Sequence, residues 1–179
     1  MGTPCVFFDR DGVVNRPPPA GQRYIERPDE FEILPAFLDA LRVVNARGYA
    51  AVIATNQKGV STGRIAPAAL AAMHARLQAA VRRAGLRLLD IRVSTAAADD
   101  DPDRKPNPGL LLGAAREHGL DLARSWMVGD NERDIAAGRR AGCRTVLVGG
   151  APDEPTAAAF RVPDLGGLAA FLEEHLDRV

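Results

Sequence analysis

Short apolar runs alternate along the chain with longer segments in which apolar residues recur at helical spacing. The short runs are rich in Val, Ile and Phe and are continuous, which is typical of strands buried on both faces of a parallel sheet. The strands are predicted at CVFF (5–8), YAAVIA (49–54), IRVST (91–95), SWMVG (125–129) and RTVLVG (144–149).

The longer segments predict the helices that connect these strands. They lie at 34–48, 67–85, 107–119, 131–142 and 165–179. In the third of them, Asn107 is expected to be the N-cap, Pro108 the first helical residue and Gly119 the stop. Strands separated by helices of this length are joined by crossovers, so the fold class is α/β.

The expected architecture is one doubly wound (Rossmann-like) parallel sheet of at least five strands. A chain of 179 residues fits a single domain over residues 1–179. The connections after the second and third strands are helix-sized and leave no room for a folded cap. In such folds the functional site lies at the carboxyl ends of the strands.

Composition excludes several functions. Lys plus Arg and Asp plus Glu each number 23, and aromatic residues are 5%, which argues against nucleic-acid binding. No apolar run approaches membrane-spanning length or resembles a signal peptide, so we expect a cytoplasmic protein with no membrane partner. The two cysteines are too few for a disulfide framework or a cysteine-rich zinc site and are expected to be buried. The sequence does not indicate an oligomeric state.

Reactive side chains follow four of the five predicted strands. They are Asp9 and Asp11, Thr55 and Asn56, Arg104 and Lys105, and Asp130 and Asp134. Residues two apart in an extended segment share a side, so Asp9 and Asp11 are expected to face the crevice while Arg10 points away. Together with Asp130 they form an oxygen-rich site that suits Mg²⁺.

These residue types also favour phosphoryl chemistry. A carboxylate can attack phosphorus, and a second acid can protonate the leaving group and then activate water. Lys105 is positioned to supply positive charge to the phosphoryl group. The alternative for an isolated Asp-x-Asp is a loop with exposed acids, and charge runs such as that around Arg104 are usually solvated.

Four segments carry a family resemblance. FFDRDGVVN, IATNQKG, DRKPNPG and MVGDNERD resemble the four ordered motifs of the haloacid dehalogenase (HAD) superfamily of phosphatases, over residues 5 to about 148. Four ordered motifs are far more specific than one Asp-x-Asp. DRDGVVN, TNQKGVSTG and RKPNPG are most similar to the group of D-glycero-D-manno-heptose-1,7-bisphosphate phosphatases and histidinol-phosphate phosphatases.

The resemblance implies a HAD-like fold and a role for each motif residue. Asp9 would be the nucleophile and Asp11 the general acid and base in hydrolysis through an aspartyl-phosphate intermediate. Thr55 would hydrogen-bond the transferring phosphoryl group, and Lys105 would neutralise it. The Mg²⁺ site would comprise Asp9, Asp130 and the backbone carbonyl of Asp11, with Asp134 and Asn131 in support.

Departures from the heptose enzymes concern the substrate. STAAADDDPDRKP has no Cys or His where those enzymes usually have a zinc loop, so no zinc is predicted. Thr62 stands where many relatives have Arg, and Asn131 where the heptose enzymes commonly have Lys. The candidate substrate contacts are Asn56, Gln57, Lys58, Arg64 and Arg104, and for Lys58 and Arg64 a flexible basic loop is the alternative.

The expected activity is Mg²⁺-dependent removal of the 7-phosphate from a sugar bisphosphate, D-glycero-D-manno-heptose 1,7-bisphosphate. Without a cap, its selection depends on the loops at 15–27, 57–65 and 95–104. Histidinol phosphate is the alternative substrate. A nucleic-acid 3′-phosphatase and a non-catalytic binding module are the alternatives from other classes.

Overall fold

The computed structural model describes residues 2–179 and contains one six-stranded parallel sheet, ordered β3-β2-β1-β4-β5-β6. The strands are β1 (Cys5–Phe8), β2 (Ala50–Asn56), β3 (Asp90–Ser94), β4 (Trp126–Gly129), β5 (Arg144–Val148) and β6 (Phe160–Val162). The predicted doubly wound α/β fold is confirmed. The strand order reverses direction between β1 and β4, which is where such sheets open a crevice at their carboxyl edge.

Five helices connect or follow the strands. They are α1 (Pro35–Ala46), α2 (Pro67–Arg83), α3 (Gly109–His118), α4 (Glu132–Ala141) and α5 (Leu168–His175). The start predicted for α3 is wrong, because Pro108 occupies the N-cap position and no side chain caps the helix. The Asn107 amide instead donates to the carbonyls of Asp99 and Asp101, which fixes the loop before α3. Gly119 ends the helix in the left-handed conformation, as predicted.

The continuous apolar run of β1 is explained by burial on both faces. All four of its residues are fully buried, with Val6 and Phe8 in one apolar layer and Cys5 and Phe7 in the other. Alternation along the strand sends successive side chains to opposite faces, so each layer receives every second residue. Both cysteines are buried, as expected.

The connections at the carboxyl edge are loops rather than an inserted domain. Within residues 2–179, the segments after β1, β2 and β3 contain no further helix or strand apart from a 3₁₀ turn at Pro28–Glu30. This agrees with the predicted absence of a folded cap. No helix within residues 2–179 is long and apolar enough to cross a membrane.

Candidate active site

Asp9 lies where the chain leaves β1 at the centre of the carboxyl edge. Its backbone N–H donates to the Val128 carbonyl of the neighbouring β4, at 2.9 Å. Its carboxylate is largely buried and accepts a hydrogen bond from the Lys105 ammonium, with Nζ 2.6 Å from Oδ1. The sheet therefore fixes the backbone of Asp9, and Lys105 holds its carboxylate.

Lys105 is buried and fully hydrogen-bonded. Its Nζ contacts Asp9 Oδ1 and Asp134 Oδ1, each at 2.6 Å, and the Ala54 carbonyl at 2.7 Å. These contacts use all three N–H donors of an ammonium. Burial alone would lower the pKa of Lys105, but Asp134 and Asp9 outweigh that effect and raise it, so the side chain stays charged.

Asn56 holds the backbone of Lys105 in place. Its Oδ1 accepts from the Lys105 N–H at 3.0 Å, and its Nδ2 donates to the Lys105 carbonyl at 2.8 Å. Asn56 is the last residue of β2, so this bracket ties the loop after β3 to the sheet. The lysine is consequently carried by the rigid part of the fold, although its own segment is irregular.

Three carboxylates surround the crevice floor. Oxygen atoms of Asp9, Asp130 and Asp134 lie within 4.8 Å of one another. Burial, with Asp134 beside it, raises the pKa of Asp9 to about 7. Burial and the charge of Asp9 raise the pKa of Asp130 to about 6, and burial raises the pKa of Asp134 as well. Burial is therefore the main cause that disfavours the charged form of these carboxylates, and the neighbouring acids add to it while Lys105 opposes it.

A divalent cation fits this cluster. Asp134 Oδ2 is buried and has no hydrogen-bond partner among residues 2–179, although its other oxygen is paired with Lys105. A hard cation bound by carboxylate oxygens would satisfy such an atom and relieve the repulsion. Gly12, at φ +95°, makes room for Asp130, since a Cβ there would lie 1.9 Å from Asp130 Oδ2. The residues therefore suit Mg²⁺.

Asp11 contacts a different set of side chains, and one of them is Arg10, which was expected to point away from the crevice. The Arg10 guanidinium, fully buried, donates to Asp11 Oδ1 at 2.9 Å and Oδ2 at 3.1 Å. The Arg10 and Asp11 side chains meet because β1 ends at Phe8 and the backbone turns after Asp9. The Asp11 side chain remains 29% exposed, so it can still reach the crevice.

Gln57 connects Asp11 to Thr55. Its Nε2 donates to Asp11 Oδ2 and to Thr55 Oγ1, each at 2.9 Å. Because Thr55 Oγ1 accepts this bond, its own hydroxyl hydrogen is available to a group in the crevice. Gln57 itself is buried, which corrects the expectation that it contacts substrate.

A cavity of about 280 Å³ opens over these groups. Eight of the twelve predicted site residues line it, and the four that do not are Gln57, Lys58, Arg64 and Arg104. Larger cavities of about 590 and 700 Å³ lie beside Tyr49 and Leu89 and beside Asp90 and Glu117. Neither contains a buried lysine among carboxylates, so the chemistry of the lining rather than its size identifies the site.

None of the basic residues predicted to contact substrate, Lys58, Arg64 and Arg104, lines this cavity. Arg104 is buried and donates to Asp99 Oδ1 at 3.0 Å and to the Ala96 carbonyl at 3.2 Å, which corrects its expected role. Arg64 is exposed and paired with Glu26 at 3.0 Å. Lys58 does not line the cavity, although its carbonyl accepts from Ser61 in the same loop.

Two other arginines line the cavity and were missed from the sequence. Arg23 lies in the proline-containing loop 15–27, with its guanidinium 5.8 Å from the ring centre of Tyr24. Arg133 lies in the first turn of α4, and Asn131 caps that helix by accepting from the Arg133 N–H at 3.1 Å. Within residues 2–179 neither guanidinium forms an ion pair. Only the prediction of loop 15–27 as a substrate loop pointed towards Arg23.

Comparison with known proteins identifies the family. The HAD-hydrolase-like family matches residues 103–165. The D-glycero-beta-D-manno-heptose-1,7-bisphosphate 7-phosphatase of Pseudomonas aeruginosa is 36% identical over 149 residues, which cover 83% of this chain and 82% of the relative.

Solved structures agree with this similarity. A HAD-like phosphatase from Mesorhizobium loti matches with a TM-score of 0.79 and 34% identity, over 99% of this chain and 89% of that one. The D,D-heptose 1,7-bisphosphate phosphatase of B. bronchiseptica, complexed with magnesium and phosphate, matches with a TM-score of 0.81 and 32% identity, over 96% and 99%. On this evidence the chain belongs to the HAD superfamily of hydrolases and is a phosphatase.

Proposed function

We propose that this phosphatase hydrolyses a phosphomonoester in two steps through an aspartyl-phosphate on Asp9. The observation that carries the proposal is the placement of Asp9, which lies 2.6 Å from a buried ammonium and lines the same cavity as Thr55. A fixed carboxylate with a matched cation can attack phosphorus without the positional entropy that a free nucleophile loses.

In the first step, an Asp9 oxygen forms a bond to phosphorus while the bond from phosphorus to the ester oxygen breaks. Asp11 gives its proton to the departing alkoxide, and the hydroxyl of Thr55 donates to a phosphoryl oxygen. In the second step, Asp11 takes a proton from water as the water oxygen attacks phosphorus. The bond to Asp9 then breaks, and inorganic phosphate leaves.

Mg²⁺ is the proposed cofactor. Asp9, Asp130 and the backbone carbonyl of Asp11 would hold it, and the unpartnered oxygen of Asp134 supports a cation at this position. When bound, the ion would neutralise negative charge on the carboxylates and on the substrate phosphate. The B. bronchiseptica relative was solved with magnesium and phosphate, which supports the same assignment here.

The proposed substrate is D-glycero-D-manno-heptose 1,7-bisphosphate, from which the 7-phosphate is removed. The names of the relatives support this substrate, as does the presence of Arg23 and Arg133 at the cavity. A second phosphate offers these guanidiniums a bidentate partner, whereas histidinol phosphate would present a cationic amine to them.

A substrate panel tests this assignment. Initial rates with Mg²⁺ are measured on both anomers of heptose 1,7-bisphosphate, on heptose 7-phosphate, on histidinol phosphate and on a 3′-phosphorylated oligonucleotide. We expect the highest kcat/KM on a heptose bisphosphate. Arg23→Met and Arg133→Met should raise KM for the bisphosphate more than for the monophosphate. A higher kcat/KM on histidinol phosphate or on the oligonucleotide would show that the proposed substrate is wrong.

A trapping experiment tests the intermediate. Acid quench during turnover, followed by peptide mass spectrometry, should find a phosphate added to the peptide that contains Asp9. With 4-nitrophenyl phosphate as substrate, whose leaving group needs no proton, Asp11→Asn should increase the trapped fraction because it removes the base for the second step. Asp39→Asn is the matched control, since Asp39 is exposed on α1 and paired with Arg42. Phosphate found on another residue, or on none, would contradict the mechanism.

A further inference from the structure

Arg10 is among the largest fully buried side chains of the described chain, and the two-step mechanism above does not use it. A buried guanidinium is costly unless its charge and its donors are satisfied. Within residues 2–179 its only anionic partner is Asp11. A fully buried arginine whose carboxylate partner is the proposed acid and base requires an explanation.

We propose that Arg10 is a positioning residue, which holds the Asp11 carboxylate in the orientation that proton transfer at the scissile bond requires. This inference rests on the proposed role of Asp11. The guanidinium donates from NH2 to both carboxylate oxygens, at 2.9 and 3.1 Å, and from Nε to Oδ1 at 3.3 Å. Two-point contact fixes the rotation of a carboxylate as well as its location.

Arg10 is itself held by groups that carry no charge. Its guanidinium lies 5.4 Å from the ring centre of Phe31, and its NH1 lies 3.4 Å from His74 Nε2. Burial and the charge of Arg10 lower the pKa of His74 to about 4, so the imidazole is neutral at neutral pH and Nε2 can accept from NH1. Among residues 2–179, Asp11 is therefore the group that balances the charge of Arg10.

Two neutral amides complete the arrangement around Asp11. Asn15 Nδ2 donates to Oδ1 at 2.9 Å, and Gln57 Nε2 donates to Oδ2 at 2.9 Å. Both are buried, so the carboxylate has fixed donors on the protein side and faces the cavity on the other. Of these three residues only Arg10 contacts both oxygens, which makes it the main determinant of orientation.

The role predicts a dependence on the leaving group. A poor leaving group such as a sugar alkoxide needs the proton from Asp11, whereas 4-nitrophenolate leaves without it. A misplaced Asp11 should thus slow the first step on alkyl phosphates but not on 4-nitrophenyl phosphate. The second step needs Asp11 as a base for every substrate, so it becomes rate-limiting on the nitrophenyl ester.

The experiment compares Arg10→Met, Arg10→Lys and the wild type on 4-nitrophenyl phosphate and on an alkyl phosphate, with stopped-flow and steady-state assays. For Arg10→Met we expect kcat on the alkyl phosphate to fall by about 10²-fold with little change in KM. On 4-nitrophenyl phosphate we expect a burst of nitrophenolate equal to the enzyme concentration. Arg10→Lys should recover part of kcat. Arg42→Met is the control, since Arg42 is exposed on α1 and paired with Asp39.

The outcomes separate the possibilities. An equal loss on both substrates without a burst would mean that Arg10 is only structural and would overturn the proposal. If Arg10→Met does not fold, Gln57→Met serves instead, with a smaller loss of kcat and the same burst. Asp11→Asn separates a failure of the proposed mechanism from a failure of the positioning role of Arg10. If Asp11→Asn retains full activity, the proposed mechanism fails; if it is inactive while Arg10→Met behaves as wild type, only the positioning role fails.

Discussion

Two clusters of potential metal ligands lie at opposite edges of the sheet. The crevice cluster, Asp9, Asp130 and Asp134, follows the carboxyl ends of the strands; the edge cluster, Asp90, Glu117 and His118, lies beside the first residue of β3. Within each, the candidate ligand atoms lie within 4.8 Å of one another. The spacing of the ligand atoms therefore does not distinguish the two clusters.

Charge balance and burial do distinguish them. In the edge cluster Arg92 already supplies the cation, with Nε 2.6 Å from Asp90 Oδ2 and a further contact to Glu117, whose side chain is 62% exposed. In the crevice cluster the carboxylates outnumber the ammonium, and one buried oxygen of Asp134 has no partner in residues 2–179. A metal site is favoured where buried negative charge is left over.

The largest effect should come from removing the proposed nucleophile. Asp9→Asn is expected to lower kcat by at least about 10³-fold, because the amide cannot attack phosphorus. Asp90→Asn in the edge cluster should leave kcat within about twofold of wild type. Steady-state phosphatase assays with Mg²⁺ measure both, after circular dichroism has shown that each variant is folded. Comparable losses of kcat in the two variants would mean that the crevice cluster is no more important for activity than the edge cluster.

The second-largest difference between the two clusters should be in metal binding. Mg²⁺ at about 100 times its dissociation constant should stabilise the wild type by about 2.7 kcal/mol, a rise in Tm of about 5 °C or more. Asp130→Asn should abolish most of this shift, since the cation loses a ligand. Glu117→Gln should retain it. Thermal unfolding with and without Mg²⁺ provides the measurement, and a shift lost in Glu117→Gln would place the ion at the edge cluster instead.

The pH dependence of stability should have opposite signs at the two clusters. In metal-free protein the pKa values of Asp9 and Asp130 are raised, to about 7 and about 6, so the folded state binds protons more tightly than the unfolded state. The free energy of unfolding should then fall, by on the order of 1 kcal/mol, as pH rises from 5.5 to 8.

For Asp90, burial raises the pKa, but the hydrogen bonds from His118 and Ile91 and the charge of Arg92 outweigh it and lower the pKa. Its contribution is present at neutral pH and is lost in acid, below the ordinary value of 3.8. Urea denaturation in EDTA should therefore show a smaller fall from pH 5.5 to 8 in Asp130→Asn and an unchanged fall in Asp90→Asn. An unchanged fall in Asp130→Asn would contradict the assignment.

The smallest effect should be that of the edge cluster on stability. Glu117→Gln removes an ion pair whose acid is mostly exposed, so it should lower the free energy of unfolding by about 0.5 kcal/mol or less. Added salt should reduce even this difference. Urea denaturation at low and high salt measures it. A cost above about 2 kcal/mol would mean that this cluster is more buried in solution than its exposure indicates.

The sheet could be predicted from sequence because its signal is local. Buried parallel strands are continuous apolar runs, and those of β1, β2, β4 and β5 are found close to their predicted positions. β6 was missed because it has three residues and begins with the exposed Phe160, so it has no apolar run. The start of α3 was misplaced because the Asn107 amide donates to the Asp99 and Asp101 carbonyls of the preceding loop, and its side chain does not cap the helix.

The site could be predicted only in part. The catalytic candidates follow strand ends, and parallel topology brings strand ends together. The partners of Arg10, Gln57 and Arg104 could not be predicted, because each contact depends on where the chain turns after its strand. Arg10 lies in a turn rather than in β1, and Arg104 folds onto Asp99 of its own loop. Arginine content alone gives no means of selecting Arg23 and Arg133 among the other arginines.

The closed hydrogen-bonding shell of Lys105 makes the site accessible to chemical footprinting. The chain has only two lysines, Lys58 and Lys105. Lys105 is 2% exposed with every N–H donor engaged, whereas Lys58 lies in a surface loop. An amine-acylating reagent should label Lys58 at once and Lys105 only when the loop detaches from Asn56. The ratio of the two adducts thus reports how often Lys105 becomes exposed, with Lys58 as an internal reference in the same molecule.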